Sequence, residues 1–170
     1  FRLTKALTAV LTGAALSVAG LQMQTLFRNP LADPFILGIN SGASLGVALA
    51  VLAIGTTGSI LLAGISTAGD LGLALAASIG AGLVLGLILL VGRRVKSPIT
   101  LLILGLMFGY AASALTSLLL YFSLPERIQA YTVWSYGSFS GVTWSQLRVM
   151  APVILAGLVL NVFLHKPLKP

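Results

Sequence analysis

Charged residues divide the chain into long uncharged stretches: Ala6 to Phe27, Pro34 to Gly69, Leu71 to Gly92 and Ser97 to Pro125 carry no Asp, Glu, Lys or Arg. About 20 apolar residues at 1.5 Å rise each cross the hydrocarbon core of a bilayer, so each stretch is long enough to span it. The pattern predicts five helical spans, at 6–27, 34–54, 71–92, 98–122 and, more briefly, 144–164. Asp33-Pro34 and Ser97-Pro98 mark helix starts, because they set a capping side chain beside a proline whose missing N–H costs nothing there. Asp70 before Leu71 supplies the capping half alone.

Segment 128–143 breaks the pattern. Tyr131, Trp134, Tyr136 and Phe139 alternate with Gln129, Thr132, Ser135, Ser138 and Ser140, which is too polar for a span facing lipid. Aromatic side chains with polar tips favour the membrane interface, so a short interfacial helix or re-entrant segment is expected here.

Inside the spans, small residues recur at every fourth position. The series are Ala9, Gly13, Ser17; Gly38, Gly42, Gly46, Ala50; Gly72, Ala76, Gly80; and Gly105, Gly109, Ser113, Ser117. Spacing of four keeps them on one helix face, where missing side chains let two backbones approach. The fold class is therefore all-α, a polytopic transmembrane helical bundle of about five spans forming one domain over 1–170.

Composition agrees and removes other classes. Of 170 residues, 58% are hydrophobic and 8% charged, with mean hydropathy +1.06, against about 25% charged in soluble domains. The net charge of +7 does not indicate nucleic acid, because Arg28, Arg93, Arg94, Lys96, Lys166 and Lys169 flank apolar runs instead of gathering among polar readers. Their positions suit membrane lipid headgroups. Following alternate connections puts six Lys or Arg on one side and Arg2, Lys5, Arg127 and Arg148 on the other. The positive-inside bias then places the C-terminus in the cytoplasm and the N-terminus outside. With five spans, a further span before Phe1 and truncation at both ends are expected.

Catalytic chemistry has little to work with. There is no cysteine and one histidine, His165, so no thiolate site and no ordinary metal site is expected, nor any cofactor. No phosphate-binding glycine loop, nucleophile with its base, or carboxylate pair in a span is present. The first four spans hold no ionisable group, which disfavours proton or ion coupling and leaves the energy for any transport to another subunit.

At Gly20 a specific string begins: Gly20-Leu21-Gln22-Met23-Gln24-Thr25-Leu26-Phe27-Arg28-Asn29-Pro30-Leu31-Ala32-Asp33-Pro34, then Leu37-Gly38 and Ser41-Gly42-Ala43. Further on come Ala114-Leu115-Thr116-Ser117, Gly137-Ser138-Phe139-Ser140-Gly141 and Trp144-Ser145-Gln146. Together these resemble the FecCD-like permease family, which includes importers of ferric siderophores, haem and cobalamin. The resemblance covers essentially the whole chain. It implies a non-enzymatic permease subunit in a bacterial plasma membrane, paired with a second permease subunit. Two ATP-binding cassette ATPases are implied on the cytoplasmic side and a substrate-binding protein outside.

The resemblance also implies roles for residues. Arg2 and Lys5 match a pattern whose arginines receive acidic residues of the binding protein, although the proline is lost and Lys5 cannot form a bidentate fork. Ser97, Pro98 and Ile99 match a cytoplasmic gate loop. Gln24, Asn29, Pro30, Asp33 and Pro34 match the family's signature loop, where Gln24, Asn29 and Asp33 are expected to shape the turn. Lys166-Pro167-Leu168 matches the stretch preceding the cytoplasmic coupling helices, so the principal ATPase-docking element is expected to lie beyond it. An ion-coupled transporter and a non-transporting membrane scaffold are the alternatives.

Overall fold

The computed structural model describes residues 2–57, 68–95 and 97–164. Lys96, His165, Lys166, Pro167, Leu168 and Lys169, which enter the charge pattern and the coupling-helix match above, lie outside the described residues. Helices α1 (Arg2–Phe27), α2 (Ile39–Thr57), α3 (Ala68–Gly92), α4 (Pro98–Tyr121), α5 (Pro125–Tyr136) and α6 (Trp144–Leu164) follow one another, with a 3-10 turn at Pro34–Leu37. No strand occurs among the described residues. Among the described residues, four helices are long and apolar enough to cross a membrane: Arg2–Phe27, Leu71–Gly92, Pro98–Tyr121 and Trp144–Phe163.

The expected second span differs at its start. Pro34 opens the 3-10 turn, and the α-helix begins only at Ile39, so the described apolar helical stretch is the shorter Ile39–Leu52. Gly38 causes the break. Its φ of +69° lies in the left-handed region, which costs a residue with a Cβ about 1–2 kcal/mol. Asp70, expected to precede α3, falls inside the first turn of its described part.

The chain divides into two compact units, 35–137 and the pair 1–34 with 138–170. In the first, α2 packs against both α3 and α4. A Cβ added to Gly42 would lie 2.7 Å from the Gly80 carbonyl oxygen and 2.7 Å from Val84 Cγ2. One added to Gly80 would strike the Gly42 carbonyl and lie 2.9 Å from Gly46 Cα. Gly46 in turn faces the Ala76 carbonyl. The α2 and α3 ladders therefore meet each other, backbone against backbone.

A second seam uses the start of α2. A Cβ on Gly105 would lie 2.9 Å from Leu37 Cα, and one on Gly38 would lie 2.8 Å from Gly109 Cα. The left-handed turn at Gly38 thus brings the chain onto α4 closely enough that glycine is required on both sides. The Ser113 hydroxyl donates to Ser41 Oγ at 3.1 Å beside this seam. Further along α4 the buried row leaves the predicted Ser113, Ser117 line for Ala112 and Thr116. Val47, Ala48, Val84 and Ile88 complete the buried apolar set of this unit.

The other unit pairs α1 with α6. Its expected ladder at Ala9, Gly13 and Ser17 makes no such seam: all three are exposed, and a Cβ on Gly13 would meet nothing within 4 Å. Thr4 and Thr8 are the buried residues of α1. The Thr8 hydroxyl donates to the Thr4 carbonyl, Thr12 to Thr8, Ser17 to Gly13 and Thr25 to Leu21, each at 2.8 Å. Each polar side chain thereby uses a carbonyl of its own helix.

Helix α6 opens with a reciprocal cap. The Thr143 N–H donates to Gln146 Oε1 at 2.8 Å while the Gln146 N–H donates to Thr143 Oγ1 at 3.4 Å. This is a capping box, which satisfies two donors that the first helical turn leaves without partners.

Candidate functional site

The signature loop is built around a left-handed residue. Asn29 N–H donates to the Gln24 carbonyl at 3.1 Å and Arg28 N–H to the Thr25 carbonyl at 3.3 Å, the paired closure of a Schellman motif. Arg28, at φ +48°, takes the position that glycine usually fills. Asn29 then bonds forward twice: its Oδ1 accepts from Leu31 N–H at 3.0 Å and its carbonyl from Ala32 N–H at 3.0 Å. Pro30 sits second in that turn, where its fixed φ suits the geometry. Gln24 contributes through its backbone carbonyl and Asn29 through its side chain. Ala32 is buried while Asp33 is exposed at the surface of the turn.

Arg2 and Lys5 stand in the first turn of α1 with a spacing that puts neighbours on one helix face. Arg2 is exposed and Lys5 half-buried. Beside them Thr4 shares a cavity of about 190 Å³ with Val142, Thr143 and Trp144. The 26 residues of α1 extend about 39 Å, so these two cations lie a full membrane thickness from the signature turn at its other end.

Ser97, Pro98 and Ile99 belong to the other unit, at the tight connection from α3 to α4. Pro98 is the first helical residue and Ser97 occupies the cap position with extended backbone, but the Ser97 side chain makes no capping hydrogen bond. The expected hydroxyl cap is therefore not formed; the Ser97 carbonyl instead accepts from Leu101 N–H at 3.2 Å and begins the helical ladder. All three residues are exposed. On the Gly92 side, an added Cβ would come within 2.8 Å of Leu101 Cδ1, so the connection closes on a glycine.

Residues 128–143 form a short helix and a turn. Pro125 starts α5 three residues earlier than the aromatic pattern indicates, and 12 residues make it about 18 Å long, too short to span. The helix has no buried residue. Gly137, at φ +64°, ends it, and the Ser138 and Ser140 hydroxyls pair at 2.8 Å in the turn beyond. Arg127 Nη1 reaches the Leu52 carbonyl of α2 at 3.5 Å, a link that no sequence pattern announced.

Two further features escaped the sequence reading. The Thr143 and Gln146 box carries the Thr-x-x-Gln spacing of a capping box. Between α1 and α6 lies a cleft of about 240 Å³ whose lining includes Ala15, Ala19, Gln22, Gly157 and Asn161. Among the described residues no group of three or more His, Cys, Asp or Glu could hold a metal ion. What the described residues offer is helix seams, turns and clefts.

Known proteins share this sequence and fold. The FecCD transport family matches residues 1–169. The vitamin B12 import system permease protein BtuC of Klebsiella pneumoniae is 39% identical over 153 residues, which is 90% of this chain and 43% of that protein. A probable iron chelatin transport system permease protein of Helicobacter pylori is 39% identical over 140 residues, 82% of this chain and 38% of that protein. A solved chain described as a metal-chelate type ABC transporter in an inward-facing conformation superposes with a TM-score of 0.81 at 31% identity, covering 99% of this chain and 50% of that one. The chain thus spans about half the length of the proteins it matches. With that match running across the turn, the connection and the capped helix alike, the chain belongs to the FecCD transport family.

Proposed function

We propose that this chain is part of the permease subunit of an ATP-binding cassette importer, which carries iron chelates, haem or cobalamin inward across a bacterial plasma membrane. The observation that carries the reading is the family match over residues 1–169, joined to relatives named as vitamin B12 and iron chelatin permeases. The subunit is a passive pathway. ATP hydrolysis belongs to cassette ATPase partners, delivery to an external substrate-binding protein, and the pathway itself to a dimer of permease subunits. Glycine seams support this mechanism because helices in direct backbone contact move as packed pairs, and alternating access needs two arrangements of rigid pieces instead of a reactive side chain.

Within that reading, Arg2 and Lys5 receive acidic groups of the binding protein on the external face. The turn from Gln24 to Pro34 and the connection at Ser97, Pro98 and Ile99 face the cytoplasm, the latter as a gate. Helix α5 lies at the external interface.

The test is reconstitution of the full-length permease with its ATPase and binding protein in proteoliposomes. ATP-dependent uptake of cobalamin, haem or a ferric siderophore that persists after ion gradients are collapsed supports the reading. Uptake that vanishes with the gradient supports an ion-coupled transporter. A sealed bundle with no uptake in any state supports a scaffold.

A further inference from the structure

A connection between two membrane helices can gate in one of two ways: its own backbone flexes, or the helices that carry it are displaced. At its described residues the α3 to α4 connection is tied down. Arg93 N–H donates to the Leu89 carbonyl at 3.1 Å, Arg94 N–H to Val91 at 3.0 Å and Val95 N–H to Gly92 at 3.0 Å, while the Ser97 carbonyl accepts from Leu101 N–H. The Leu101 side chain adds a second tie. Its Cδ1 lies 2.8 Å from where a Gly92 Cβ would stand, so the first turn of α4 rests on the last residue of α3.

The same end of α4 is also held by the chain entering α2. Leu37 is buried, and its Cα lies 2.9 Å, its Cδ2 3.2 Å and the Ile36 carbonyl oxygen 3.1 Å from the place of a Gly105 Cβ. Gly38 donates its N–H to the Phe35 carbonyl at 2.9 Å and accepts at its own carbonyl from Gly42 N–H at 3.0 Å. It therefore joins the 3-10 turn to α2 with no free residue between them. Gly105 stands about 10.5 Å of regular helix from Pro98. Backbone meets backbone at Gly105, and helix carries that contact to the connection. Close-packed atoms transmit strain, and here no flexible side chain of Gly105 absorbs a shift, so a displacement at Leu37 reaches Pro98.

We propose that residues 35–38 and the connection at Ser97, Pro98 and Ile99 move as one rigid body, in which Leu37 is the positioning residue and the connection opens when α2, α3 and α4 shift together. The proposal rests on the gate reading of that connection and adds how the gate is worked. Flexing of the connection alone is the competing mechanism, and it has to part Leu101 from Gly92 and Gly105 from Leu37.

The full-length importer, reconstituted with its ATPase and binding protein, tests this with two probes. Nitroxides on Phe35→Cys and Ser97→Cys, carried by one permease subunit per complex, give their separation by pulsed electron spin resonance with and without trapped ATP. The reaction rate of Ser97→Cys alone with a membrane-impermeant thiol reagent reports opening of the connection. A rate that depends on nucleotide, beside a separation that does not, is the expected result. A separation that changes with nucleotide overturns the proposal and leaves the gate standing. A rate indifferent to nucleotide refutes the gate reading, and the proposal with it. Leu37→Ala should make the rate equal in both nucleotide states and lower uptake per ATP hydrolysed while hydrolysis continues. Leu37→Met, of similar volume, should keep the nucleotide dependence. If Leu37→Ala lowers thermal stability yet keeps both the nucleotide-dependent rate and the uptake, Leu37 only packs and the assignment is wrong. Should Leu37→Ala fail to assemble, the separation in the otherwise unaltered subunit still decides.

Discussion

Replacing Gly80 with alanine adds a single methyl carbon where α3 meets α2. That carbon would strike the Gly42 carbonyl and lie 2.9 Å from both Gly46 Cα and Gly46 N, so its three nearest neighbours are backbone atoms that no rotamer change can move. Gly82, two residues along the same helix, is the internal control, because a Cβ there would meet nothing within 4 Å. Both changes gain the same helix propensity, about 1 kcal/mol. Only Gly80→Ala forces the helices apart, and overpacking of this kind costs about 1–3 kcal/mol. A parting of 0.5–1 Å also forfeits roughly a quarter to a half of the dispersion attraction of the atoms along the seam. The two variants should therefore differ by about 1–3 kcal/mol, with Gly82→Ala at or above wild type. Equilibrium unfolding of the full-length protein in mixed micelles, followed by circular dichroism, measures the difference. Two variants of equal stability, or Gly80→Ala the more stable, would refute the claim that α2 and α3 touch through these glycines.

Three more outcomes follow from individual residues. Gln146→Ala should destabilise the start of α6 by about 0.5–2 kcal/mol, read as faster amide exchange at residues 144–147, since Thr143 N–H loses its acceptor. Arg28→Gly should raise stability by about 1 kcal/mol in thermal unfolding, because φ +48° strains a residue with a Cβ and does not strain glycine. Arg2→Glu combined with Lys5→Glu in the full-length importer should weaken association of the binding protein, most at low salt, while basal ATPase activity stays near wild type. Single alanine changes there should each cost only about 0.2–1 kcal/mol, and unaltered association of the double glutamate variant at every salt concentration would identify both residues as headgroup anchors.

The long helices other than α2 were legible because a bilayer imposes a length and forbids charge, and the runs ending at Phe27, Gly92 and Leu164 are helical to those residues. Glycine ladders were legible on α2 and α3 because spacing of four and close approach have one cause. The same spacing misled at Ala9, Gly13 and Ser17: a ladder fixes a helix face but not what lies opposite it, and Gly13 faces open space in this chain. The turn at Asn29 came with the family resemblance, whereas the left-handed Arg28 did not, since arginine does not advertise that backbone region. Pro34 and Ser97 each looked like a helix start. Gly38 postponed the first, and the second begins on its carbonyl without using its hydroxyl. Roles for Arg2, Lys5 and the 97–99 connection came from resemblance, because a cation or a proline at a helix end looks the same whether it anchors, caps or docks.

The hydroxyls that bond backward along α1, with Ser78 donating to Ala74 on α3 and Thr116 to Ala112 on α4, bear on how such a chain enters lipid. A segment emerging from the insertion machinery meets the bilayer before later segments exist to receive its polar groups. Because each of these hydroxyls is satisfied within its own turn, none of them needs a partner from a later segment when its helix enters the bilayer.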